Sequence, residues 1–131
     1  MKGLDTNVLV RLLTGDDPAQ QQRARAFIAS NCSAASPGFV NRIVIVELVW
    51  VLESTYGYTR QQIAAAIDGL LRTQELTVED TSEVALSLSA YREGADFADA
   101  LLSITNEAAG CEETATFDRR AAKRLAGFRV L

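Results

Sequence analysis

The chain has 131 residues, 48% of them hydrophobic, which suits one domain with a real core and excludes a disordered tail. It contains no histidine, so His-based triads, His metal ligands and His general bases are excluded together. The net charge of −4 gives no whole-molecule attraction for nucleic acid.

In chain order, Lys2 to Asp5 reads as a first short strand, and Asn7 as the cap of a helix over Val8 to Thr14. Asp16-Asp17-Pro18 marks a turn and a new helix start, with Pro in the first turn, and that helix runs from Ala19 to about Ser30. Ser33 to Gly38 is loop, and Phe39 and Val40 form a brief strand. Ile43 to Tyr56 reads as a long apolar helix, and Thr59 caps another over Arg60 to Leu71. Glu75 to Glu79 is a strand with alternating Leu76 and Val78, followed by a helix from Thr81 to about Arg92. Asp96 to Ala109 is helical and stops at Gly110, a favourable residue just past a helix end. Thr114 to Phe117 is a strand, Asp118 starts a short basic helix, and Phe128 to Leu131 is a final strand. Short strands joined by helical crossovers predict an α/β fold with a parallel sheet covered on both faces. No linker, repeat or low-complexity stretch interrupts the chain, so residues 1–131 are expected to form a single domain.

Other exclusions follow from local composition. No apolar run reaches the roughly 18 residues of a membrane span, and the opening Met-Lys-Gly-Leu-Asp lacks the apolar core of a signal peptide. Cys32 and Cys111 are too few for a disulfide framework or a Cys-based zinc site. They read as small, partly buried thiols of a protein in the reducing cytoplasm. Only Lys2 and Lys123 among the 13 basic residues are lysines. The rest are arginines, which grip phosphate bidentately. Arg119, Arg120, Lys123 and Arg124 form the one dense basic cluster, either a phosphate-binding face or a solvated helix face.

Chemistry must therefore rest on carboxylates, hydroxyls, thiols or a bound metal. Asp5 stands where the first strand hands over to a helix, the place where open α/β sheets bind ligands, although Asp also caps helices. Glu47 has Ile43 and Val44 one turn before it and Trp50 and Val51 one turn after, all on its own face. A Glu in such company either pairs with an Arg or holds a cation. Asp96, Asp99 and Ser103 share one stripe of their helix, opposite Phe97, Leu101 and Ile104. Here capping and helix-dipole explanations stand beside a chemical one. Asp118 repeats the arrangement of Asp5 at the end of a second strand. If those two strands are neighbours, their carboxylates repel unless a cation lies between them. Three or four converging carboxylates without His or Cys suit Mg²⁺ or Mn²⁺, ions that orient phosphates and activate water.

The segments Leu4-Asp5-Thr6-Asn7-Val8-Leu9, Val46-Glu47-Leu48, Asp96-Phe97-Ala98-Asp99-Ala100-Leu101 and Thr116-Phe117-Asp118-Arg119 resemble, in order and separation, those of PIN-domain ribonucleases of the VapC toxin type. The resemblance spans nearly the whole chain. It implies a PIN-like three-layer α/β/α sandwich with a central parallel sheet of about five strands, ordered 3-2-1-4-5. It also implies Mg²⁺-dependent cleavage of RNA, a cognate VapB-type antitoxin, and a homodimer. Carried over, Asp5, Glu47, Asp99 and Asp118 are the catalytic and metal-binding acids. Asp5 and Asp99 would bind the metal directly, Glu47 through water or as a proton acceptor, and Asp118 would complete the shell or bind a second ion. Asp96 would be accessory. Thr6, Asn7, Ser103 and Thr116 would orient the acids or the water, and Arg11, Arg119 and Arg120 would touch the RNA backbone.

Other readings predict different residues. A receiver-like signalling domain wants paired acids after the first strand and a Lys after the last, and this chain has neither. A haloacid-dehalogenase-like phosphatase wants Asp-x-Asp where Asn7 occupies the third position. A PIN fold kept only for binding, its pocket acidic but inactive, would keep the acids without nuclease activity.

Overall fold

Periodic apolar segments punctuated by Asp, Thr and Gly generate the alternation of strands and helices that the computed structural model displays over residues 1–131. The chain divides into two units, Met1–Thr81 and Ser82–Leu131.

The first unit contains β1 (Lys2–Gly3), α1 (Thr6–Thr14), α2 (Pro18–Asn31), β2 (Gly38–Val40), α3 (Arg42–Ser54), α4 (Arg60–Leu71) and β3 (Leu76–Val78). Its strands are parallel in the order β1-β2-β3, with Lys2 opposite Gly38 and Gly38 opposite Leu76. Gly38 is closely surrounded by side chains. A methyl group there would meet the side chains of Leu4, Cys32 and Leu76 at 3.0–3.1 Å. The fully buried Val40, Ile45, Leu48, Leu52, Ile63 and Ile67 form much of the core. Helix starts follow local capping chemistry: Asp17 accepts the Gln20 N–H at 3.0 Å, and Thr59 and Gln62 form a reciprocal capping box before α4.

The second unit contains most of α5 (Thr81–Arg92), then α6 (Phe97–Ala108), β4 (Thr114–Thr116), α7 (Arg119–Arg124) and β5 (Phe128–Val130). β4 and β5 pair in parallel, Thr114 opposite Phe128. Tyr91 and Phe97, both almost fully buried, meet edge to face with ring centres 6.0 Å apart. Ala95, Ala100 and Leu125 form a smaller apolar cluster with Phe128 against it.

The expected parallel strands are all present, in two runs, 3-2-1 and 4-5. Hydrogen bonds join them within two sheets, of three and two strands, which match the 3-2-1 and 4-5 parts of the expected order. The strands are only two or three residues long, too short to build an extended ladder. Cys32 is buried as expected, whereas Cys111 is exposed. None of the helices is long and apolar enough to cross a membrane.

Candidate active-site carboxylates

Asp5 follows β1 in extended conformation and caps α1, its Oδ1 accepting the Thr6 N–H at 2.8 Å. This corrects the expectation that Asn7 is the cap. The carboxylate of Asp5 already satisfies a first-turn N–H, so the helix begins at Thr6, two residues earlier than its apolar pattern implied. Asn7 is exposed beside it. The Thr6 side chain is buried, and its hydroxyl is the one buried side-chain polar atom in the chain without a hydrogen-bond partner.

Glu47 lies on α3, whose buried positions are Val44, Ile45, Leu48, Val49 and Leu52. Glu47 itself is exposed, between Ile43 (65% exposed) and Trp50 (66%). Of the apolar neighbours that the spacing named, Ile43 and Trp50 face outward, Val51 is half-buried and Val44 is buried in the core. α3 is apolar around most of its circumference, so periodicity cannot say which stripe meets the core. Arg42, the arginine of α3, binds Glu79 and Asp80, and its backbone N–H donates to Glu79 Oε1 at 2.8 Å. No arginine pairs with Glu47.

In the second unit Asp96 caps α6, its Oδ2 accepting the Asp99 N–H at 3.0 Å. Asp118 caps α7, its Oδ1 accepting the N–H groups of Arg120 at 2.9 Å and Ala121 at 3.1 Å. The Thr116 hydroxyl accepts the Asp118 N–H at 2.9 Å, fixing the end of β4. Partial burial, and then the negative charges of Asp96 and Asp118, hold the Asp99 carboxyl above the usual carboxylate range. Ser103 is buried rather than on an open stripe with Asp99, because it packs where Gly127 leaves room: a methyl group at Gly127 would come 2.5 Å from the Ser103 hydroxyl oxygen.

Of the arginines, Arg11 is engaged inside the first unit. It donates to Gln20 Oε1 at 2.6 Å and the Tyr56 hydroxyl at 3.2 Å, and pairs with Asp16 at 3.2 Å. Arg119 and Arg120 are exposed on α7. Sequence reasoning passed over Phe117, which is 82% exposed between Thr116 and Asp118. Its polar flanks at the end of a strand were the available signal.

Asp5 and Glu47 belong to the first unit and Asp96, Asp99 and Asp118 to the second. Within neither unit do three His, Cys, Asp or Glu side chains close into a ligand shell. The donor types are nonetheless those of a hard cation: carboxylate oxygens held by backbone N–H groups, with an Asp99 carboxyl whose ionisation burial and the charges of Asp96 and Asp118 disfavour and positive charge would favour.

Residues 3–127 match the family model of the PIN domain. The chain is also 31% identical, over 122 residues, to a VapC ribonuclease of Aquifex aeolicus (strain VF5), a match covering 92% of this chain and 89% of that relative.

Proposed function

The chain belongs to the PIN-domain family, and from that premise we propose that it is a Mg²⁺-dependent endoribonuclease, the toxin of a VapBC-type pair acting in the cytoplasm. The observation that carries this reading is the likeness to a VapC ribonuclease over 92% of the chain. The raised carboxyl of Asp99 beside Asp96 and Asp118 supports it from this chain's own residues. The proposed partners are an RNA substrate, a VapB-type antitoxin and a second copy of the chain.

In this reading Asp5, Glu47, Asp99 and Asp118 hold the divalent ion, with Mn²⁺ as a substitute for Mg²⁺. When bound, the ion supplies charge neutralisation at the phosphodiester and acidifies the attacking water. The backbone bonds to Asp5 and Asp118 hold these carboxylates in place before substrate arrives, so little reorganisation is needed during the reaction. Glu47, exposed and unpaired, accepts a proton from the water whose oxygen bonds to phosphorus as the P–O bond to the leaving nucleotide breaks. Thr6, Asn7 and Thr116 adjoin the acids and orient them, Asp96 raises and positions Asp99, and Ser103 supports their helix from its buried side. Arg119 and Arg120 contact backbone phosphates, and Arg11 does so to the extent that its bonds to Asp16 and Tyr56 open.

The test is incubation of the purified protein with total RNA and Mg²⁺, with and without EDTA, alongside Asp5→Asn. Cleavage is expected with Mg²⁺ and none with EDTA or in the variant, with folding unchanged by circular dichroism. Cleavage that persists in EDTA, or full activity in Asp5→Asn, overturns the proposal.

A further inference from the structure

α2 is fourteen residues long yet buries only Ala24, so most of its surface is uncommitted to the core. One face of it, with α1, lines a groove of about 800 Å³, within the range of sites that enclose a small ligand. Asp5 lines this groove and is its sole acid, while Arg11 and Arg23 supply two cations. Arg11 is paired with Asp16, so Arg23 is the cation the groove offers to an incoming anion. Phe27, 41% exposed, also lines it, one helical turn from Arg23 and hence on the same face. Val8 and Ala24 add apolar surface, and Asn31 an amide.

From these features we propose that the groove between α1 and α2 seats a single-stranded segment of the RNA substrate. A base stacks on Phe27 and the adjacent phosphate meets Arg23. The inference rests on the nuclease reading above and deepens it by assigning a binding subsite. An aromatic ring beside a cation is the combination by which proteins hold unpaired nucleotides, since every base offers a π-face and every linkage a negative charge. Asp5, itself one of the proposed catalytic acids, lines the groove, so a strand seated there runs past that carboxylate. Arg23 is the better phosphate partner of the two arginines, because Arg11 already serves Asp16, Gln20 and Tyr56.

The test is fluorescence anisotropy of a short labelled single-stranded RNA, with Ca²⁺ in place of Mg²⁺ to slow cleavage. Wild type is compared with Phe27→Ala, Phe27→Trp and Arg23→Gln, each checked for an unchanged Tm. Phe27→Ala is expected to weaken binding roughly 5- to 150-fold, the range for loss of one stacked base, and Phe27→Trp to retain it. Arg23→Gln is expected to reduce the slope of log affinity against log salt by about 0.7, one phosphate on a single strand. RNA carrying 5-iodouridine should photocrosslink within α2. Unchanged affinity in both Phe27→Ala and Arg23→Gln, with a wild type that binds RNA, overturns the subsite and leaves the nuclease reading standing. Variants that bind RNA normally but escape inhibition by the cognate antitoxin make the groove a protein-docking surface, and the proposal falls. A wild type that neither binds nor cleaves RNA overturns both.

Discussion

Asp96 accepts the backbone N–H of Asp99 at 3.0 Å while its charge helps to keep the Asp99 carboxyl above the usual range. One residue thus holds the other in position and makes its ionised form unfavourable. Positive charge supplied by a cation relieves the second effect without disturbing the first.

The first expectation concerns Asp99→Asn. A carboxyl whose folded pKa is raised binds its proton more tightly folded than unfolded, so its ionisation costs stability at neutral pH. That cost disappears as the pH falls below the ordinary carboxylate value. The variant should therefore melt slightly higher than wild type at pH 7 without added metal, and the difference should vanish in acid. RNA cleavage should fall by roughly 100-fold or more, at or beyond the upper end of what altering a metal ligand's supporting partner costs. Thermal scans at pH 7 and pH 3, with a cleavage assay, check both halves.

Glu47 and Leu48 are neighbours in sequence with opposite surroundings. Leu48 is fully buried, so Leu48→Ala should cost about 2–5 kcal/mol. Glu47→Gln, at an exposed position, should change stability by less than about 0.5 kcal/mol yet abolish cleavage. Denaturant titration separates the two, and a stable, fully active Glu47→Gln protein would remove Glu47 from the proposed site.

Asp16 is held below the usual carboxylate range first by the Tyr56 hydroxyl, then by the Thr14 hydroxyl and by the charge of Arg11. Its folded pKa is depressed, so this contribution is present above the ordinary carboxylate value and is lost as the pH falls through the folded value. Tyr56→Phe should be modestly less stable than wild type at pH 7, with the gap narrowing below about pH 4. Equal denaturation midpoints at pH 7 would show that the Tyr56 bond adds nothing.

At Gly38 the contacts of 3.0–3.1 Å awaiting a methyl group come from three side chains on different segments. Gly38→Ala is expected to destabilise by about 1–3 kcal/mol through overpacking, and Leu76→Val in the same chain should recover part of the loss by removing one of the opposing atoms. A double-mutant cycle in urea measures that recovery.

The order of elements was legible because it rests on local chemistry. Asp17 with Pro18, Thr59, Asp118 and Gly110 each punctuate the chain through bonds or backbone angles confined to one helical turn, and the boundaries at Thr59, Arg60 and Leu71 match the expectation to the residue. The acids were legible as candidates for the same reason: strand ends and first helical turns place Asp5, Asp99 and Asp118 by short-range rules. Phe27 carried no such signal. It reads as an ordinary apolar residue until the groove beside it is seen.

The sequence by itself determined the alternation of strands and helices, the parallel pairing, the absence of histidine chemistry and the supply of carboxylates, since these depend on composition, capping and spacing. Only the tertiary structure decided which stripe of α3 meets the core, leaving Glu47 with Ile43 and Trp50 on the outside. It also decided that Arg11 is engaged by Asp16 and Tyr56, and that the strands divide into two ladders. Each of these outcomes is a competition between surfaces or partners far apart in the chain. A helix apolar on nearly every side, or an arginine within reach of several acceptors, carries no local preference to settle it. Asp5 stands between the two kinds of determination: its place at the end of β1 was readable, but its bond to the Thr6 N–H, which moves the helix start and orients its carboxylate, became visible only in the folded chain.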